Sequence, residues 1–227
     1  MFRRMANRIL IINPNSSSAC TAGIAEAVAP FSMPGRVRFD SVSLPGGPPA
    51  IVTWRDWYKV AEPICQMIER EDAAAYVIGC VSDPGLDAAR TVTDRPVLGM
   101  FRCAVSAAIS RAERFGIVGF THRSLPRQRK ALQAMGVEGR LASWIPLDLP
   151  MDALTDPVAP RAKLATVARE LAAQGAEVVI LGCAGMAQHA AFAEDAAGVP
   201  VIEPCQAAAA QALLAVLGSR AALTAAA

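Results

Sequence analysis

The sequence predicts an α/β protein of two pseudo-symmetric lobes, each a short, mostly parallel sheet flanked by helices, with a site in the cleft between the lobes. Three observations carry that expectation. Short β-branched runs alternate with alanine-rich segments of helical length. The pattern of the first half recurs in the second. In each half one apolar run ends on a Gly-Cys pair, Gly79-Cys80 and Gly182-Cys183, where a strand gives way to a helix.

Strands are expected at 9–12, 37–42, 76–78, 97–98, 116–120, 144–147, 178–181 and 199–202, each a short aliphatic run bounded by Gly, Pro, Asn or Asp. Helices are expected at 21–29, 56–70, 86–91, 104–114, 123–135, 161–174, 186–196 and 206–217, where apolar residues recur three and four apart among helix formers. "AYVIGCVSDPGLDAARTVTDRPVLG" (75–99) and "EVVILGCAGMAQHAAFAEDAAGVPVIE" (177–203) each read strand, Gly-Cys, turn, helix, then Pro-Val-aliphatic. The cysteine-to-proline spacing is 16 residues in the first copy and 17 in the second. Upstream, "ILIINPNSSS" (9–18) and "FGIVGFTHRS" (115–124) each run a strand into a polar loop. The repeat divides the chain into a first lobe of 1–99 joined by 204–227 and a second of 100–203.

Composition excludes several function classes. The apolar share of 53% is largely alanine, and apolar runs break before about 18 residues, so no membrane span is expected. The opening Met1-Phe2-Arg3-Arg4-Met5 lacks the apolar stretch of a signal peptide, which predicts a cytoplasmic protein. The net charge of +2 arises from 22 basic and 20 acidic residues without a basic stripe, so no nucleic-acid partner is expected. Six widely spaced cysteines without Cys-x-x-Cys, and only two histidines, predict neither a metal site nor a disulfide framework. None of the three lysines sits in a pyridoxal-phosphate context, so no cofactor is expected.

Ligands of parallel sheets lie beyond the carboxyl ends of the strands, where both Gly-Cys pairs fall. If the lobes face each other, Cys80 and Cys183 approach one ligand from opposite sides. Inverting a carbon beside a carbonyl requires such a pair, one group removing a proton from one face and the other returning one to the opposite face. A thiol near a helix N-terminus ionises more easily. Asp83 as N-cap with Pro84 behind it would supply that helix after Cys80, and Gly185 would leave backbone N–H groups open after Cys183. The same N–H groups, at Val81, Ser82, Ala184 and Gly185, are suited to an enolate oxygen.

The other residues divide between packing and binding. Cys20, Cys65, Cys103 and Cys205 read as small buried apolar residues. Asn13, Asn15 and Ser16 are turn and cap formers by type, yet they leave the first strand at its carboxyl end with donors and acceptors for an amide-like ligand. His122 follows a strand end, while His189 falls within a helix and reads as structural or surface. "TWRDWYK" (53–59) reads as a helix start with aromatic packing.

With "INPNSS", "GGP" at 46–48, "DPGLDAAR" at 83–90, "PVLG" at 96–99, "LGCAGM" at 181–186 and "GVPVIE" at 198–203, the chain resembles the hydantoin and allantoin racemase branch of the Asp/Glu racemase superfamily almost end to end. That resemblance implies a cofactor-independent racemase inverting C5 of 5-monosubstituted hydantoins, with Cys80 and Cys183 as its two acid/base groups. It implies substrate-holding roles for Asn13, for Thr121 and for the backbone after each cysteine, and a homo-oligomer. Val81-Ser82 replaces an aromatic residue and a glycine common in that branch, which alters the pocket wall. Amino-acid racemase, cis–trans isomerase, decarboxylase and non-catalytic small-ligand binding are the competing readings. Ala184-Gly185 after Cys183 suits a neutral ring better than a free carboxylate.

Overall fold

The computed structural model describes residues 7–218. In chain order the first half comprises β1 (Asn7–Asn13), α1 (Ser18–Val28), β2 (Val37–Ser43), α2 (Trp54–Lys59), α3 (Ala61–Arg70), β3 (Ala75–Ile78), α4 (Leu86–Ala89), β4 (Val97–Gly99) and α5 (Met100–Ile109). The second comprises β5 (Phe115–Gly119), α6 (Leu125–Ala134), β6 (Leu141–Pro146), α7 (Met151–Thr155), α8 (Arg161–Ala173), β7 (Val178–Gly182), α9 (Ala190–Ala197), β8 (Val201–Ile202) and α10 (Pro204–Leu217). All eight expected strands form.

They build two all-parallel sheets of the same order, β2-β1-β3-β4 and β6-β5-β7-β8. In such an order the chain leaves the first strand toward one edge and returns past it to the other side. The switch point therefore lies at the carboxyl ends of β1 and β3, and equally of β5 and β7. Helices cover both faces, which is why the strands read as unbroken aliphatic runs. Ile9 and Ile11 enter a core shared by both sheets, whereas Leu10 and Ile12 enter a separate outer core under α3. Phe115 and Ile117 of β5 join the same shared core, and Val118 faces the outer core of the second half.

Two helices run through that shared core. Helix α10 follows the last strand of the second half and packs on α5, α1, β3 and β4 of the first. Ala104 and Ala108 of α5 and Ala208, Ala209 and Ala212 of α10 are completely buried. A helix covered on several sides must be slim, which accounts for much of the alanine. Cys103 and Cys205 lie in the same core as packing residues, as their sequence context suggested. Among the described residues no helix is long and apolar enough to cross a membrane. Met1–Met5 and residues 219–227, part of the expected first lobe, lie outside the described residues.

Two local expectations are corrected. The helix expected at 56–70 is two helices meeting at Val60. Pro63 has no N–H to offer the carbonyl four residues back, and its ring crowds that carbonyl, so a continuous helix fails there. Thr53 and Asp56 close a capping box at the first of the two, with Asp56 N donating to Thr53 Oγ1 at 3.1 Å and Thr53 N to Asp56 Oδ2 at 2.8 Å.

Asp83 does not cap its own segment. Helix α4 has one turn and is capped by Gly85 in a left-handed conformation. Asp83, at φ +49°, instead reaches the start of α5, where its carboxylate accepts from Phe101 N (2.8 Å) and Arg102 N (3.1 Å). Gly99 gives it room, since a Cβ there would lie 2.4 Å from Asp83 Cγ. The equivalent helix α10 is capped locally by Glu203, which accepts from Cys205 N and Gln206 N. Burial outweighs the two N–H donors and pushes the Asp83 carboxyl up to about 7. The native state therefore favours the proton, a stabilisation complete below the usual carboxylate range and lost as pH rises toward 7. Wild type should lose about 2–4 kcal/mol relative to Asp83→Asn between pH 4 and pH 7, measured by urea unfolding. A gap that moves the other way contradicts this assignment.

Candidate active site

The glycine before each cysteine is a steric requirement. A Cβ at Gly182 would lie 2.5 Å from the Val118 carbonyl oxygen, and one at Gly79 would lie 3.0 Å from the Ile12 carbonyl oxygen. The strand end thus passes close to its neighbour, and the next residue carries the first side chain free to project beyond the sheet. In both halves that residue is the cysteine.

Cys80 and Cys183 line one chamber of about 30 Å³, walled by both halves, together with Asn15, Cys20, Arg127 and Gln128 among others. Cys80 is half-buried and Cys183 is 8% exposed. Each thiol receives the backbone N–H two residues on, from Ser82 and from Gly185. Cys80 also shares a hydrogen bond with Ser82 Oγ at 3.4 Å. The expected easing of ionisation by helix N-termini is not realised in this chamber. Burial pushes both thiols up, Cys183 well above the ordinary range, and the N–H donors offset only part of it. The segment after Cys80 is a turn leading to one-turn α4, and that after Cys183 is a six-residue 3-10 helix.

Gln128 joins the two cysteine turns. Its Nε2 donates to the Val81 carbonyl at 2.7 Å and to the Gly182 carbonyl at 3.2 Å. Its Oε1 accepts from Trp144 Nε1 at 2.7 Å. Indole N–H is only a donor, so it fixes which end of the carboxamide faces the carbonyls. Gly119 leaves room for Trp144, since a Cβ there would lie 2.1 Å from the indole. On the other side Trp57 Nε1 donates to the Ser82 carbonyl at 2.8 Å, pinning the Cys80 turn to α2.

Of the residues singled out in the sequence, Asn15, Val81, Ser82 and Ala184 line the chamber with the two cysteines. Asn13 lies beneath it, fully buried, its Nδ2 donating to Asn15 Oδ1 (3.0 Å) and Thr21 Oγ1 (2.9 Å). Gly185 takes part through its N–H to Cys183. Ser16, Thr121 and His122 line a second, outer cavity of about 1000 Å³. Phe120 and Met151 line both spaces, so the two abut across these side chains. His189 is completely buried against the Leu154 carbonyl, a structural position.

Cys20 packs in the core as expected and also borders the chamber, where it hydrogen-bonds Asn15 and burial pushes it up to about 11. Arg127 and Gln128 were missed. The repeat contained the signal. Cys20 stands seven residues after Asn13 and Gln128 seven after Thr121, each in the first helix after the first strand of its half.

Two thiols, one half-buried and one buried, thus line one chamber from the ends of equivalent strands in two sheets of the same order. Residues 9–212 match the Asp/Glu/Hydantoin racemase family model. The chain is 38% identical over 211 residues to a hydantoin racemase of Paenarthrobacter aurescens, covering 88% of this chain and 87% of that one. It is 34% identical over 203 residues to a hydantoin racemase of Pseudomonas sp. (strain NS671), covering 86% and 80%. Allantoin racemase from Klebsiella pneumoniae superposes with a TM-score of 0.86 at 32% identity, covering 94% of this chain and 89% of that one. The chain belongs to the Asp/Glu/hydantoin racemase family. Within it, the similarity to hydantoin and allantoin racemases makes it an isomerase, a racemase.

Gln128→Met strips a partner from two buried carbonyls and an indole N–H and should cost about 2–5 kcal/mol. Trp144→Phe in that background removes the orphaned donor, so the double variant should be less destabilised than the sum of the singles. A double-mutant cycle by urea unfolding measures the coupling, and strict additivity would contradict the bridge.

Proposed function

We propose that the protein racemises 5-monosubstituted hydantoins, allantoin among them, by inverting C5 between Cys80 and Cys183. The observation that carries this reading is the matched environment of the two thiols. Both occupy the residue after a strand-end glycine, both receive the N–H two residues on, and both line one chamber. One sulfur, as thiolate, takes the C5 proton and becomes S–H. The C–H electron pair passes into the adjacent carbonyl, forming an enolate. The other thiol gives its proton to the opposite face of C5 and is left as thiolate, so charge and protons balance. No acceptor among the described residues engages the N–H of Val81 or of Ala184, the residue after each cysteine, and these donors suit the enolate oxygen.

Asn15 supplies an amide that matches an amide ring, and Ala184 a backbone donor without a polar side chain. Cofactor-free chemistry, a cytoplasmic setting and a homo-oligomeric state belong to the same reading.

A single enantiomer of a 5-substituted hydantoin should lose optical rotation with this protein in metal-free buffer well above its spontaneous rate. No acceleration across 5-methyl-, 5-isobutyl- and 5-benzylhydantoin and allantoin would sink the substrate assignment. Cys80→Ser and Cys183→Ser should each lower racemisation by about 10²–10⁴-fold. Each variant should still exchange the C5 hydrogen with deuterium from one enantiomer, the opposite one in the two cases. Normal racemisation by either serine variant refutes the two-base mechanism.

A further inference from the structure

Arg127 is the chamber residue that nothing above uses. Its side chain projects from α6 into the wall shared with Cys80 and is 3% exposed. Nη1 donates to the carbonyls of Val52 (2.8 Å) and Arg123 (3.0 Å), and Nη2 to the Ile51 carbonyl (3.3 Å) and to Ser124 Oγ (3.5 Å). Every one of these acceptors is neutral. Nε is buried and has no partner among the described residues. Asp56 acts on the guanidinium without a hydrogen bond to it, its Oδ2 taken by the N–H groups of Thr53 and Val52. A guanidinium stays charged under all working conditions, and a buried charge without a counterion is expensive. The guanidinium therefore favours an anion in the chamber, whose ionisable groups are thiols, and Cys80 acts on it more strongly than Asp56 does.

The three chamber thiols are not equivalent toward that charge. Cys80 feels Arg127 directly, and Ser82 offers it both hydroxyl and N–H, against the opposing influence of Asp83 in the same turn. Cys183 has the Gly185 N–H and, facing it, Cys20 and Cys80, both of which disfavour a second negative charge. Cys20 on α1 has the Asn15 contact and the same opposition from Cys80. We propose that Arg127 is a positioning residue that makes the pair asymmetric, so that Cys80 ionises ahead of Cys183 and supplies the thiolate while Cys183 serves as the thiol. This builds on the racemase reading, and it implies that the free enzyme first accepts the enantiomer whose C5–H points at Cys80.

The test needs no substrate, so its outcome is separate from that of the hydantoin panel. Substrate-free protein is pulsed with iodoacetamide across a pH series, and alkylation of each cysteine is read by peptide mass spectrometry. The pH midpoint of each rate profile reports ionisation independently of access. The Cys80 midpoint should lie below that of Cys183. In Arg127→Gln it should rise by about one pH unit, a roughly tenfold loss of rate at fixed pH, with Cys183 unmoved. Arg127→Lys should keep the Cys80 midpoint near its wild-type value. If only the lysine variant folds, a retained midpoint supports the proposal and a rise to the Cys183 value overturns it. A Cys183 midpoint below that of Cys80 in wild type, or a glutamine variant with unchanged profiles, also overturns it.

Discussion

The site depends on one carboxamide. Gln128 ties the Val81 carbonyl of one half to the Gly182 carbonyl of the other, so a single planar group sets the offset between the cysteine turns. Its value lies less in the bonds it makes than in what their loss would leave, since a buried carbonyl without a donor costs more than a formed bond gains. The tie is directional because Trp144 dictates the orientation of the amide. Gly119 and Gly182 exist in the same geometry, the first yielding space to the indole and the second to the neighbouring strand. Two glycines, a tryptophan and a glutamine thus cooperate to place two sulfurs, though none of the four bears the chemistry.

Placement and ionisation pull against each other. Burial strengthens every electrostatic interaction in a site but penalises the charged form of each thiol, and it dominates at Cys80, Cys183 and Cys20 alike. Helix N-termini cannot answer that penalty here. The turn after Cys80 leads to four helical residues, and Asp83, which the sequence suggested as the cap of that segment, carries its carboxylate to α5 instead. What remains are donors two residues beyond each sulfur and a buried guanidinium. These act over short distances and do not require a long helix aimed at the site.

The doubly buried strands and the repeat were legible in the sequence because each is written in neighbouring residues. Val178 to Leu181 announces a strand buried on both faces, and Gly182-Cys183 announces its end. The identity of the two thiols followed from the repeat, since either alone is an ordinary buried cysteine. The partners of the site were harder to read because they come from tertiary approach. Arg127 and Gln128 in "LPRQRKALQA" look like any polar helix face, and their burial depends on the 51–52 backbone and the Cys80 turn arriving from the other half. That Cys20 borders the chamber as well as packing in the core was hidden for the same reason. Asp83 shows the limit most clearly, because an Asp-Pro pair signals a local helix start and the positive φ that redirects it has no local signature.

The shared core decides which parts yield to a ligand. On the reading proposed above, a hydantoin ring must enter the chamber that both thiols line, and the wall it passes is the one that yields. The sheets are poor candidates. Their facing sides share one alanine-lined core through α5 and α10, and separating them would expose that apolar surface and break the Gln128 bridge. The walls toward the outer cavity are different, for Phe120 and Met151 stand between the two spaces at the ends of surface loops. Moving the Phe120 side chain and the start of α7 that bears Met151 breaks none of the hydrogen bonds that hold the cysteine turns, whereas the opposite loop is tethered through the Ile51 and Val52 carbonyls to Arg127. Access through the Phe120–Met151 side leaves both cysteine turns, their N–H donors and the guanidinium in place, so the distance between the sulfurs need not change when the ring arrives.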